Sequence, residues 1–474
     1  MTIQVDAAVL GGGPGGYTAA IRLAQLGKKV AIVEMDKLGG TCLHRGCIPS
    51  KSLLKSASVF RTVKEAERFG IVNAGDPVIR YDLVSKRKSA AVEQLYRGLQ
   101  YLMKKHGIQV IHGHGRIIGP SIFSPRSGSI AVELSDGEME TVVPQQLIIA
   151  TGSKPRMLKG LPYDGHAIMN SDDALRMEEL PGDMLIVGGG VIGVEWASMM
   201  SDFGVKVTLV ETAARLLPGE DADVSAEMEK QLGIRGVRIL TGISLDAESC
   251  RINDGLVEIQ AETESGTVHL SAERILVSIG REANVAGIGL EATDIAVKDG
   301  YIAVGPTMQT SEPHIYAIGD AIGGLQLAHA AAHEGLIAAE HIGGGKPMHL
   351  EAHRIPRSVY SRPEVASIGL TENQAAARGH EIKTGKIPFA AIGRAIVLGD
   401  TEGFVKVVAD RKTGDVLGVH MIGSHVTDLI AEASLADLLQ ASAWELGQSI
   451  RPHPSLSEAL GEAILDIDGR SLAY

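Results

Sequence analysis

A strand, a glycine-rich loop, a helix and a second strand follow one another twice in this chain, and that repeat limits its fold more than any other feature. Val9-Leu10-Gly11-Gly12-Gly13-Pro14-Gly15-Gly16 returns as Ile186-Val187-Gly188-Gly189-Gly190-Val191-Ile192-Gly193. Each copy follows a short apolar run and leads into a small-residue helical stretch, Tyr17 to Leu26 or Val194 to Phe203. Each stretch then meets a glycine, Gly27 or Gly204, suited to ending a helix. A second apolar run follows: Val30-Ala31-Ile32-Val33-Glu34 and Val207-Thr208-Leu209-Val210-Glu211. This order predicts an α/β chain with two Rossmann-like, parallel-sheet nucleotide domains.

Within each loop the three spaced glycines have separate tasks. Gly11 or Gly188 permits the tight turn, Gly13 or Gly190 lets a pyrophosphate approach the backbone, and Gly16 or Gly193 lets helix pack on strand. The helix N-terminus adds free N–H groups and partial positive charge. Glu34 and Glu211 end the second strands, where a carboxylate can bind the hydroxyls of an adenosine ribose. A carboxylate at 211 repels a 2′-phosphate and so favours NAD over NADP. Arg215, four residues on, pulls the other way, but a phosphate reader more often replaces the acid itself. One such motif is weak evidence, because glycines cluster in many turns; two, each in the same context with a terminal acid, are strong.

Between the copies, residues 54–106 read as long amphipathic helices and 108–150 as strands and turns ending at Ala150-Thr151-Gly152. Ile275 to Gly280 and Ile315 to Asp320 read as further buried strands. From about residue 351 the pattern changes. Strand-like runs at Ser358 to Ile368, Phe404 to Ala409 and Val416 to Met421 precede helical runs at Val426–Leu439 and Leu456–Ile464, which predicts a separate α+β domain.

A chain of 474 residues with 45% hydrophobic and 22% charged residues can bury several ordinary cores. Its net charge of −12 and lack of a basic tract argue against nucleic-acid binding. No run approaches the ~20 apolar residues of a membrane helix, and the N-terminus lacks the pattern of an export signal. A cytoplasmic location is therefore expected.

Cys42 and Cys47 lie just downstream of the first glycine loop, in Gly40-Thr41-Cys42-Leu43-His44-Arg45-Gly46-Cys47-Ile48-Pro49-Ser50-Lys51. Such a pair fits a redox dithiol, a plain disulfide or part of a metal site. The third cysteine, Cys250, is remote, so four cysteines are not available for zinc or iron–sulfur binding, and no metal is expected. In a regular helix the rise alone would separate the two Cα atoms by about 7.5 Å, beyond the roughly 4.4–6.8 Å of a disulfide. The segment is therefore expected to be distorted at Gly46, with Pro49 in the first turn of a following helix. A strained local disulfide is the reducible kind. Dithiol chemistry also needs a base. Among 16 histidines, His453 stands out in Arg451-Pro452-His453-Pro454-Ser455-Leu456-Ser457-Glu458, where Glu458 can orient the imidazole. The residues alone leave open an ordinary surface or helix-cap histidine.

With these motifs in order, together with Ser278-Ile279-Gly280-Arg281 and Ala317-Ile318-Gly319-Asp320, the chain resembles the pyridine nucleotide–disulfide oxidoreductases over its full length, and among them the dihydrolipoamide dehydrogenases. The resemblance implies an FAD-binding domain at 1–152 completed by 282–350, an NAD-binding domain at 153–281 and a C-terminal dimerisation domain at 351–474. It places Gly11, Gly13, Gly16, Glu34, Lys51, Gly115, Thr151, Gly152, Ser153, Asp320 and Ala328 at FAD. It places Gly188, Gly190, Gly193, Glu211, Gly280 and Arg281 at NAD. Without the resemblance, Arg281 is equally a domain-interface arginine, and Lys51 a partner for a surface acid.

The resemblance further implies a homodimer in which His453 and Glu458 serve the other subunit's disulfide. Cys42 meets substrate and Cys47 faces the flavin. The implied reaction is oxidation of dihydrolipoamide on the lipoylated acyltransferase of a 2-oxo acid dehydrogenase complex, with reduction of NAD. The rivals are a glutathione- or mercuric-reductase-like enzyme and a non-catalytic flavoprotein subunit. Two departures stand out: Leu43-His44-Arg45-Gly46 where relatives have Asn and Val before the glycine, and Arg451 where the family usually has a histidine. Both resemble paralogues serving branched-chain complexes in Gram-positive bacteria.

Overall fold

The computed structural model describes residues 2–72, 75–120, 126–263 and 266–473. The chain forms two compact units: Met1–Ser52, Asp82–Arg156 and Arg281–Ala352 make the first, and Leu53–Tyr81, Met157–Gly280 and His353–Tyr474 the second.

The first unit is built on a parallel sheet. Strand Thr2–Leu10 lies between Val30–Glu34 and Met139–Ile149, with Gln109–Ile118 beyond the former and Ile315–Ala317 beyond the latter. Ser129–Leu134 pairs antiparallel with the far halves of Gln109–Ile118 and Met139–Ile149. The central strands carry unbroken apolar runs at Ala7–Leu10, Val30–Val33 and Leu147–Ile149, because both faces are covered there. Ala8, Leu10, Ala31, Val33, Leu147 and Ile149 face one core with Ile117 and Ile130. Ala7, Val9, Val30, Ile32 and Ile148 face the other, against Ala19, Ala20 and Leu23 of helix Pro14–Gln25 and Ile337 and Ala338 of helix Ala328–Ile342. These two helices approach closely through small residues: a Cβ on Gly15 would come within 2.8 Å of the Ala331 carbonyl oxygen, and one on Gly335 within 2.5 Å of the Gly15 oxygen. Truncating a fully buried side chain such as Ile32 to Ala would cost about 2–5 kcal/mol.

The second unit repeats the plan. Asp183–Val187 lies between Lys206–Val210 and Arg274–Val277, with Arg238–Leu240 and Ile168–Asn170 at the edges, all parallel. A three-stranded antiparallel sheet of Ser244–Asn253, Leu256–Thr263 and Gly266–Ala272 covers one face through Val257, Ile259 and Ala261. Cys250 is buried in this core, as expected for a structural cysteine.

The same unit holds a five-stranded antiparallel sheet in the order Arg357–Val359, Glu364–Gly369, Val416–Gly423, Phe404–Asp410, Ile382–Pro388. Helices Val426–Leu439 and Glu458–Asp466 pack on it through Val426, Ile430 and Ala433 and through Ala459, Leu460 and Ala463. The run Ser358 to Ile368, read as one strand, is two antiparallel strands with Pro363 between them. Proline has no N–H for the ladder, so the run had to divide there. Strand Ile382–Pro388 was not foreseen; Gly385 interrupts its pattern because a Cβ there would overlap the Ala463 carbonyl.

Charges are buried between helix Ala222–Ile234 and this sheet. Lys406 Nζ lies 3.0 Å from Asp221, 3.1 Å from Asp223 and 2.7 Å from Glu372, while Arg357 Nε lies 2.9 Å from Glu220. Carboxylates on three sides hold the Lys406 ammonium well above its usual range, against the opposing effect of burial. Among the described residues no helix is long and apolar enough to cross a membrane.

Candidate active site: glycine loops, a cysteine pair and a histidine–glutamate pair

The two glycine loops have the same local geometry. Gly11 and Gly188 both have φ of 106°, a backbone region strained for other residues. A Cβ on Gly11 would overlap the Ala150 oxygen, and one on Gly188 would sit 2.5 Å from the Ser278 oxygen. Gly16 and Gly193 press on the carbonyls of Gly11 and Gly188. Gly13 and Gly190 instead face open space, with nothing within 4 Å of a Cβ. That opening lies at the N-terminus of helix Pro14–Gln25 or Val191–Phe203, as an anion site requires. Glu34 accepts from the N–H groups of Gly12 (2.7 Å) and Asp36 (2.8 Å). Glu211 accepts from those of Gly189 (2.5 Å) and Ala213 (2.7 Å). Each acid is thus locked to its own loop.

The cysteine pair is built onto the first loop. Helix Gly40–Arg45 ends at Gly46, whose φ of −151° and ψ of −111° break the helix before Cys47 opens helix Cys47–Lys64. This is the expected distortion, with Pro49 in the first turn that follows. A Cβ on Gly46 would press within 3.1 Å of the Thr41 oxygen and 3.5 Å of the Cys42 Cα, so a glycine permits the tight return. A Cβ on Gly40 would lie 2.9 Å from the Cα of Gly13, which sets the start of the cysteine helix directly on the open glycine. Both cysteines are thiols here. Their mutual hydrogen bond, and then burial, push the Cys42 thiol far up, while the Lys51 ammonium pulls it down. Tyr17 faces the pair: burial first, then the charges of Cys42 and Cys47, push its phenol up. The sequence reading missed it; its place one turn after Gly13 was the available signal.

A third group in the first unit joins Thr151–Ser153 to Asp320. The Ser153 hydroxyl bonds to the Asp320 carboxylate, and Asn284 donates from its side chain to the Thr151 oxygen (3.0 Å) and from its backbone to the Gly152 oxygen (2.9 Å). Arg281, expected beside the second nucleotide, donates to Ser153 Oγ (2.7 Å) and Ser153 O (2.8 Å) and lies 3.9 Å from Asp320. Its strand, Arg281–Ala283, pairs with Ser153–Pro155. Gly280 itself has a φ of 104°. Among the described residues the buried Thr151 hydroxyl has no hydrogen-bond partner, which fits an atom that meets a cofactor. Glu334 accepts from the Gly319 N–H at 2.7 Å, and burial, with a smaller contribution from Asp320, pushes its carboxyl up. Ala328 opens helix Ala328–Ile342. Gly115 is buried, leaving room for Leu10, Val33 and Ile130.

In the second unit, His453 Nδ1 lies 2.9 Å from Glu458 Oε1, with the imidazole 79% exposed. Glu458 Oε2 also accepts from the Ser455 N–H at 2.8 Å. That bond first, and His453 second, hold the Glu458 carboxyl below its usual range. An exposed, oriented imidazole with a free edge can take a proton from an incoming thiol.

Residues 5–335 match the model of the pyridine nucleotide-disulphide oxidoreductases, and residues 355–464 match that family's dimerisation domain. The chain is 56% identical to a dihydrolipoyl dehydrogenase of Bacillus subtilis and 41% identical to one of Zymomonas mobilis, with all of each chain covered. Among solved structures it is similar to LpdA of Mycobacterium tuberculosis, with a TM-score of 0.90 at 28% identity over 98% of this chain and 99% of that one. It is also similar to the HOCl-induced flavoprotein disulfide reductase RclA of Escherichia coli, with a TM-score of 0.83 at 28% identity over 97% and 99%. The paired loops, the cysteine turn and these likenesses agree, and the chain belongs to the pyridine nucleotide-disulphide oxidoreductase family.

Proposed function

We propose that this chain is a dihydrolipoyl dehydrogenase that oxidises protein-bound dihydrolipoamide and passes the electrons to NAD. The seating of the cysteine helix on the open glycine of the first loop carries this reading, because it puts a reducible sulfur pair beside a nucleotide site. The enzyme depends on FAD and NAD. Gly11, Gly13, Gly16, Glu34, Lys51, Gly115, Thr151–Ser153, Asp320 and Ala328 would hold the FAD, with Arg281 and Asn284 bracing Ser153 and Thr151. Gly188, Gly190, Gly193, Glu211 and Gly280 would hold the NAD, with Arg281 at the end of that site. FAD, when bound, supplies the two-electron carrier that thiols and nicotinamide lack between them.

The chemistry of the chain's own residues starts from the Cys42–Cys47 disulfide. His453, fixed by Glu458, takes the proton from a substrate thiol. The substrate sulfur attacks Cys42, and the disulfide breaks with Cys47 leaving as thiolate. The second substrate thiol attacks the mixed disulfide, releasing cyclic lipoamide and the Cys42 thiol. Two electrons and two protons have then left the substrate, and the cysteine pair is reduced. Lys51 favours the thiolate state of this pair.

The enzyme works as a homodimer through its C-terminal domain. Exposed Leu435, Leu439, Trp444 and Ile450 support this, as an apolar face that a second copy would cover. Domains at 1–152 with 282–350, at 153–281 and at 351–474 are the proposed functional division, and the cytoplasm is the proposed location. The partner is the lipoylated acyltransferase of a 2-oxo acid dehydrogenase complex, the branched-chain one being favoured. Two Bacillus subtilis dihydrolipoyl dehydrogenases match at 56% and 42% identity, so the chain sides with one of two paralogues.

A lipoamide-dependent NADH assay tests the activity. Cys42→Ser should bring turnover down by more than about 10³-fold while retaining yellow FAD; wild-type turnover would overturn the mechanism. The likeness to RclA favours a second reading, a disulfide reductase for another substrate. Under that reading the assay would show no dihydrolipoamide activity in the wild type.

A further inference from the structure

The His453–Glu458 pair is carried by a segment with little structure of its own. Residues 448–457 lie between helices Ala443–Gly447 and Glu458–Asp466. Among the described residues, the N–H groups of Ile450, Arg451 and His453 donate to no other backbone group, and Pro452 and Pro454 have none to donate. Ile450 is 98% exposed. One side chain of the segment turns inward: the Arg451 side chain is only 8% exposed. Its Nη2 lies 2.5 Å from Glu432 Oε1 on helix Val426–Leu439. Its Nη1 donates to the Ser449 oxygen at 3.1 Å, and both nitrogens reach the Leu446 oxygen at 3.4 Å, at the end of helix Ala443–Gly447. It also lies on Gly461, where a Cβ would come within 2.8 Å of Nη1. Gly461 is on the helix that opens with Glu458.

From this geometry we propose that Arg451 is a positioning residue that holds the His453-bearing segment and the Glu458-bearing helix in register. The proposal rests on the reading of His453 as the base. A buried guanidinium that meets the Glu432 carboxylate, the helix-end Leu446 carbonyl, the Ser449 carbonyl of the segment and Gly461 touches three helices, which a shorter imidazole at this position would not reach. Gly461 is the space this requires, so Arg451 and Gly461 act as a unit. The residue that departs from the family pattern therefore acts through the residue that keeps it.

The test is a mutant cycle on the holoenzyme. Arg451→Met should lower kcat for dihydrolipoamide about tenfold, with KM for NAD within twofold of the parent. Glu432→Gln, which keeps the shape and removes the charge, should give a smaller loss of the same kind. Gly461→Ala should lower kcat in the parent and add nothing in the Arg451→Met background. Parent-like kcat in Arg451→Met, or fully additive losses in the double variant, would overturn the proposal. Should Arg451→Met not fold, the comparison of Glu432→Gln with Gly461→Ala decides, since unchanged kcat in both is equally fatal. His453→Gln is assayed alongside. If it keeps full turnover, the reading of His453 fails; if it loses turnover while the Arg451 and Glu432 variants do not, only the positioning role fails.

Discussion

The two glycine loops agree in φ, in the carbonyls their first and third glycines press upon and in the acid that locks each of them, yet they are backed by different things. Behind the first stand the cysteine helix, through Gly40 on Gly13, and helix Ala328–Ile342, through Gly335 on Gly15. Behind the second stands the segment after Glu211. Leu216 packs on Gly189, Leu217 donates to the Gly189 oxygen at 2.9 Å, and Glu220 and Asp221 then anchor the segment to Arg357, Ser367 and Lys406 of the antiparallel sheet. The same glycine turn is backed in one place by the cysteine helix and in the other by a charged structural joint. A nucleotide loop sets what can bind; its backing sets what the bound group does.

The comparison breaks most sharply at the first glycines. Gly11→Ala and Gly188→Ala each force a strained φ and a backbone overlap, which together should cost more than about 3 kcal/mol. Gly11→Ala should yield protein without bound flavin. Gly188→Ala should remain yellow and still accept electrons from dihydrolipoamide, but fail to reduce NAD. Absorbance spectra and half-reaction kinetics separate the two. Gly13→Ala and Gly190→Ala serve as controls, because they fill open space and should reduce cofactor affinity with little change in the urea midpoint.

Next in size is the joint behind the second loop. Lys406→Met leaves Asp221, Asp223 and Glu372 facing one another without their buried cation, which should cost about 3–5 kcal/mol. Because Asp221 anchors the segment that covers Gly189, KM for NAD should also rise, while flavin reduction by dihydrolipoamide holds. Equal losses in both half-reactions would mean that the joint supports the fold alone.

The smallest effect is a dependence on pH. His420 is fully buried, bonded to the Leu370 oxygen at 2.9 Å, and burial pushes its imidazole below the usual range against the raising effects of Asp221 and Glu220. With the folded value depressed, the unfolded chain binds the proton first. Stability should therefore fall as pH drops below about 6.5, the ordinary histidine value, towards the folded one. His420→Gln, which keeps a donor for Leu370, should flatten the thermal melting point over this range; an unchanged slope would remove His420 as the cause.

Much of this was legible in the chain because it follows from short-range rules. Glycine spacing, a terminal acid, alternation on a strand and the break forced at Gly46 each depend on a few neighbouring residues. The distortion between Cys42 and Cys47, the helix of Cys47–Lys64 around Pro49 and the bond from His453 to Glu458 were all reachable that way. The bond from Arg281 to Ser153 was not, because a long flexible side chain bonds whatever the tertiary pairing presents, and Ser153 lies far back in the chain.

The sequence by itself determined two nucleotide folds, a broken cysteine turn and an oriented histidine, since backbone geometry and nearest-neighbour chemistry leave few alternatives at those places. Only the tertiary structure decided that Gly40 rests on Gly13, that Gly115 makes room for core side chains, that Lys406 is enclosed by three carboxylates and that Arg451 turns inward onto Gly461. Those contacts join segments distant in the chain, and burial and close approach between such segments are set by packing, which no local pattern encodes.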